Sequence, residues 1–147
     1  MNAPATDAVT NLATIEKTLD LSHPIERVWS AISNPAELVK WFPNTSATLD
    51  ARPGGVGHWV WDFDDNHFEA EIHVVEVEPP CRLVWTWDHR EDSDKPITTV
   101  EWQLTERADG GTTLVVRESG FQDPAHRTDN VQGWDSETDE LVAYLDS

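Results

Sequence analysis

Cysteine, lysine and long apolar runs are scarce in this chain of 147 residues, and each scarcity excludes something. The single cysteine, Cys81 in "EPPCR", rules out an internal disulfide and agrees with a reducing compartment. A catalytic thiol there would need a base to activate it, and none lies nearby in sequence. No run approaches the ~20 apolar residues of a membrane span. The opening "MNAPATDAVTNLA" lacks the basic-then-apolar order of a secretory signal, so a cytoplasmic location is expected. Lysine occurs only as Lys17, Lys40 and Lys95, and 10 basic residues against 28 acidic ones leave a formal charge of −18. Such a surface repels phosphate backbones and anionic lipid, so neither nucleic acid nor a membrane is an expected partner. The same excess keeps the chain soluble and fits a host with a salty cytoplasm.

Motifs for metal, cofactor or covalent chemistry are also missing. His23, His58, His67, His73, His89 and His126 show no His-x-His or His-x-x-x-His spacing, and one cysteine cannot complete a zinc set, so no metal is expected. "GGVG" at 54–57 leads into a strand-like run rather than a helix and reads as a turn, not a phosphate cradle. There is no Gly-x-Ser-x-Gly elbow, and no cofactor is expected.

What the chain has in plenty is tryptophan, eight in all, and two stretches repeat one device. In "GHWVWDF" (57–63) and "LVWTWDH" (83–89), paired tryptophans stand two residues apart. Period-2 spacing puts Trp59 with Trp61, and Trp85 with Trp87, on one face of a strand. Bulky ring pairs from two strands therefore face one interior.

The patterning divides the chain clearly. Residues 1–12 are small and polar and read as a disordered tail, leaving 13–147 as one domain of ordinary size. "TIEKTLDL" alternates as a first strand. "SHPIERVWSAIS" then switches to helical spacing, with Ser22 as its expected cap, and "NPAELVKWF" follows with Asn34 as cap and Pro35 in the first turn. Strand-like segments follow at roughly 47–52, 57–63, 67–77, 82–89, 97–106 and 112–119, joined by turns short enough to require antiparallel neighbours.

Register can be predicted from which residues must face each other. A loop at 108–110 pairs Leu104 with Leu114, Trp102 with Val116 and Val100 with Glu118; a one-residue slip would set Trp102 against Arg117. A "DDNH" loop places Phe63 opposite Phe68, Trp61 opposite Ala70 and Trp59 opposite Ile72. The apolar phase changes between Val74 and Val75, which predicts a bulge. From Asp123 the spacing is helical again, with Val131, Trp134, Leu141, Val142 and Leu145 in one stripe interrupted by Thr138, and with Gly133 expected to permit close approach to the sheet.

Several phrases together resemble one known family. "LSHPIERVWSAISNPAELVKWF", "LDARPGGVGHWVW", "VVEVEPPCRLVWTW", "VEWQLTERADGGTTLVVRESGF" and the late "GW" before a leucine-spaced helix are similar to the activator-of-Hsp90-ATPase homologues of the START-like, Bet v 1-like superfamily. The resemblance implies an α+β helix-grip fold: a curved antiparallel sheet around a long C-terminal helix, with a cavity between them. Thr138 stands where relatives usually carry leucine.

The candidate site follows from phase and resemblance together. Trp59, Trp61, Trp85, Trp87 and Trp102 from the strands, with Trp134 from the helix, are either packed core or the wall of a cavity in which an aromatic ligand stacks. His89 and Glu118 fall in phase with the inward set, and with Thr138 they are candidate orienting groups. The leading expectation is non-enzymatic binding of a small hydrophobic or aromatic molecule. One alternative is a cyclase-, aromatase- or hydrolase-like enzyme using His89 and Glu118 as an acid–base pair. Another is a stress- or chaperone-related module that binds a protein partner or a second copy through the sheet's outer face.

Overall fold

The computed structural model describes residues 14–88 and 96–147. Its elements run β1 (Thr14–Leu21), α1 (Ile25–Ser33), α2 (Pro35–Trp41), β2 (Ser46–Leu49), β3 (Val56–Phe63), β4 (Asn66–Glu78), β5 (Arg82–Asp88), β6 (Thr98–Glu106), β7 (Thr112–Ser119) and α3 (Pro124–Asp146). The strands form one antiparallel seven-stranded sheet in the order β1-β7-β6-β5-β4-β3-β2, open and curved around α3. This is the α+β helix-grip arrangement.

β1 and β2 lie at opposite edges of the sheet, so the chain must cross its face between them, and α1 and α2 make that crossing. Their ends follow local chemistry. Asn34 accepts the Ala36 N–H at 3.0 Å and Pro35 fills the first turn of α2, while Asp123 accepts the Ala125 N–H at 2.9 Å to start α3. The expected Ser22 cap is not used. Pro24 occupies the cap position and its carbonyl takes the N–H groups of Arg27 and Val28 at 3.0 and 3.1 Å, which leaves Ser22 two residues too early.

The β6–β7 register is the expected one, with Trp102 opposite Val116 and Val100 opposite Glu118. The bulge is also present, the β4–β5 register shifting between Val74 and Glu76. The β3–β4 register is two residues from the expected one: Phe63 faces Asn66, Trp61 faces Phe68 and Trp59 faces Ala70. A slip of two keeps every side chain on its own face, so apolar alternation cannot tell the two registers apart. The two-residue loop is set instead by Asp64, which takes the left-handed φ of 52° that aspartate tolerates.

Inward residues of every strand and one stripe of α3 meet in a continuous core that includes Val28, Ile32, Ile72, Leu83, Val100, Leu114 and Leu141. Gly133 corrects a second expectation. It is exposed, and a Cβ built on it would meet nothing within 4 Å, so it does not bring the helix close to the sheet.

Candidate functional site: an aromatic interior

Seven of the eight tryptophans join one network of touching rings on the concave side, and its hub is Phe42. This residue ends α2, where the chain turns toward β2, and its ring is placed against rings from three directions. It stacks on Trp41 at 5.3 Å and on Trp134 at 5.8 Å, and it meets Trp59, Trp61 and Trp87 edge-on at 5.5 to 5.9 Å. Trp61 and Trp87, from β3 and β5, lie almost parallel with centroids 5.9 Å apart. Trp134 crosses from the helix to meet Trp87 and Trp102 at 6.1 and 5.5 Å. Offset and edge-to-face geometries of this kind match the ring quadrupoles.

The indole N–H groups divide the tryptophans. Those of Trp41, Trp61 and Trp134 are paired, with the Ala31 carbonyl at 2.9 Å, the Phe42 carbonyl at 3.1 Å and Glu118 Oε1 at 2.8 Å. Those of Trp59 and Trp102, in side chains 0% and 1% exposed, have no hydrogen-bond acceptor. A buried donor left without an acceptor is costly and rare in native interiors.

Glu118, on β7, is itself 1% exposed. Its Oε2 accepts from Thr98 Oγ1 at 2.6 Å, its Oε1 from Trp134 Nε1, and both oxygens from Asn130 Nδ2 at 3.0 and 3.2 Å. Burial raises its pKa above the usual carboxylate value, and these donors pull the other way. Each oxygen is already engaged, so the carboxylate clasps β6, β7 and α3 together rather than standing free as a base. Thr138 is also buried and turns its hydroxyl onto the Trp134 carbonyl at 2.7 Å, leaving lone pairs but no free proton. His89 lies outside the described residues, and with it the acid–base pair it would form with Glu118.

Sequence reading missed Phe42 as a hub, Thr98 and Asn130 as donors, and Glu137. Residues 130, 137 and 144 are seven apart and lie along one line of α3. Asn130 meets the sheet at Glu118, and the Tyr144 hydroxyl meets α2 at Glu37, 2.8 Å away. Glu137, between them, has one enclosed oxygen without a hydrogen-bond partner, and burial, followed by the nearby Glu140, pushes its pKa up to about 8. The heptad spacing was visible in the sequence as a signal for this inward line.

At the sheet's rim the concave face continues outward. Phe63 and Phe68, 50% and 49% exposed, lie 6.4 Å apart beyond Trp61 on the β3–β4 hairpin. Among the described residues no group of three or more His, Cys, Asp or Glu side chains is placed to hold a metal ion, and no helix is long and apolar enough to cross a membrane.

Residues 22–146 match a family model described as activator of Hsp90 ATPase homolog 1-like protein. The chain belongs to this family. Solved structures agree. A protein from Mesorhizobium loti is similar at 25% identity with a TM-score of 0.76, the match covering 90% of this chain and 96% of that one. CalU16 from Micromonospora echinospora is similar at 26% identity and a TM-score of 0.73, over 90% of this chain and 75% of its own. DynU16, from the dynemicin biosynthetic locus, is 26% identical with a TM-score of 0.74, over 92% of this chain and 48% of its own. No functionally curated protein matches the chain in sequence.

Proposed function

We propose that this family member is a non-enzymatic binder of a small hydrophobic or aromatic molecule, held between the concave face and α3. The observation that carries this reading is the pair of enclosed indole N–H groups, on Trp59 and Trp102, within a continuous wall of rings. A wall of packed aromatics gives an apolar ligand large contact area at low entropic cost, and unpaired donors give it orientation. Trp61, Trp85, Trp87 and Trp134 supply the remaining surface, while Glu118 fixes Trp134 and Thr138 offers lone pairs. His89, which lies outside the described residues, is proposed as a further orienting group on the sequence phase it shares with Trp85 and Trp87. The exposed Phe63 and Phe68 continue the same concave face, which supports a mouth for a small molecule better than a protein-docking surface on the outer face. The origin of DynU16 in a biosynthetic locus fits a small-molecule ligand.

The test is intrinsic tryptophan fluorescence titrated with aromatic, polycyclic and fatty-acid ligands, on the wild type and on Trp87→Ala. Saturable quenching that weakens at least about tenfold in the variant supports the reading, since that loss corresponds to about 1.4 kcal/mol of contact. A folded protein whose emission answers no ligand would leave the rings as core packing alone.

A further inference from the structure

The interior that faces α3 is poor in positive charge. Among inward positions of the described strands the one basic side chain is Lys17, and it is paired with Asp135 at 2.7 Å. On the helices, Arg27 is paired with Glu37 at 2.5 Å, and Arg127 donates to the Thr14 carbonyl at 3.1 Å. His126 is buried against Phe121, eleven residues and so about 16 Å up the helix from Glu137. Against this stand two inward carboxyl groups. Glu118 is hydrogen-bonded by neutral donors only, and Glu137 keeps an enclosed oxygen without a donor.

Glu137 also stands in the right place to meet a ligand. It is three residues beyond Trp134, on the flank of α3 that faces Glu118 at one end and Glu37 at the other. Trp134 is stacked on Phe42, so the flank that holds Glu137 borders the aromatic wall. Ring faces attract cations through their quadrupoles, and a carboxylate beside them adds a charge-assisted hydrogen bond. The formal charge of −18 draws cations toward the molecule and repels anions.

Resting on the binding function proposed above, we propose that the ligand is an amphiphilic cation: a hydrophobic ring body held against Trp134 and Phe42, carrying a protonated amine that donates to the enclosed oxygen of Glu137. Fatty acids and other carboxylates are disfavoured at the same place, because Lys17 and Arg27, the basic groups that border this interior, are already paired with Asp135 and Glu37, and Lys40 on α2 is exposed to solvent. Binding an ammonium group there also returns Glu137 to its ionised form, since a facing positive charge offsets the burial that now holds its proton.

Three probes that share one ring system test this by isothermal titration calorimetry at neutral pH and near-physiological salt: 2-(1-naphthyl)ethylamine, 1-naphthylacetate and 1-ethylnaphthalene. The amine is expected to bind about tenfold or more tightly than the acetate. That preference falls to about threefold or less in Glu137→Gln. It persists in Asp139→Asn, which removes the same charge from an exposed position of the same helix. Glu137→Lys, checked for folding by near-ultraviolet circular dichroism, reverses the order in favour of the acetate. An acetate that binds as well as the amine overturns the inference, and so does a preference that survives in Glu137→Gln. If ethylnaphthalene binds but the amine is no tighter, the ring-lined site stands and the amine does not. If none of the three binds, both proposals fall.

Discussion

The indole N–H of Trp134, on the C-terminal helix, donates to the buried carboxylate of Glu118, on the sheet, across 2.8 Å. This bond sets the plane in which Trp134 meets Trp87 and Trp102, so a polar contact beneath the aromatic wall controls its shape. Thr98 and Asn130 complete the clasp. Glu118→Gln tests it. An amide has one acceptor oxygen, and its own N–H groups must then face donors. A loss of about 1 to 3 kcal/mol is expected, read as a lower urea midpoint at unchanged slope. An unchanged midpoint would mean that the donors find other partners and that the clasp does not hold the helix.

Glu137 makes stability depend on pH. Its folded pKa of about 8 lies above the ordinary carboxylate value of 4.5, so between these limits the folded state binds more protons than the unfolded one. Stability from this group is fully present below the ordinary value and declines as pH rises toward about 8. Glu137→Gln removes that decline. The variant is expected to match the wild type near the acid end of this window and to exceed it progressively toward neutral and mildly alkaline pH. Urea unfolding of both proteins across the range measures the difference, which cancels the titration of every other group. A difference that does not grow with pH would show that the carboxyl is solvated.

Sheet faces were legible from the sequence because alternation needs nothing but period 2. Trp59, Trp61, Trp85 and Trp102 are buried on the side their spacing assigned. The β3–β4 register was not legible, since a shift of two residues preserves every facing and the decision fell to the backbone at Asp64. The glutamate clasp was half legible. Phase placed Glu118 inward and the expected β6–β7 register sets Thr98 diagonally beside it, two residues from its partner Val100, whereas Asn130 meets it only because α3 folds back across the sheet. Phe42 was legible as an apolar residue but not as the hub, because its position depends on how α2 ends.

Gly133 is a correctable weakness of α3. It sits inside the helix with nothing within 4 Å of where a Cβ would be, and its φ is not left-handed. Gly133→Ala lowers the entropy of the unfolded chain without any clash and is expected to stabilise by roughly 0.5 to 1 kcal/mol. Thermal unfolding measures it. A lower melting temperature would show that the glycine is needed for a bend or contact of α3.

Salt is expected to stabilise the protein. With 28 acidic and 10 basic residues, repulsion between carboxylates outnumbers attraction, and the folded state brings these charges closer than the unfolded chain does. Attractive pairs exist, among them Arg117 with Glu16 and with Glu101 and Arg82 with Glu76, and salt weakens these as well. They draw on the few basic residues, however, and exposed pairs of this kind contribute little. Raising KCl from about 0.1 M to 1 M shortens the screening length from about 10 Å to about 3 Å, which removes most of the repulsion beyond nearest neighbours. The melting temperature should therefore rise with KCl, and most steeply in the lower part of that range. A charge-reduced variant such as Glu78→Gln with Asp139→Asn, both at exposed positions, should start higher and gain less. A melting temperature that falls as KCl is added would mean that the ion pairs outweigh the excess of acid.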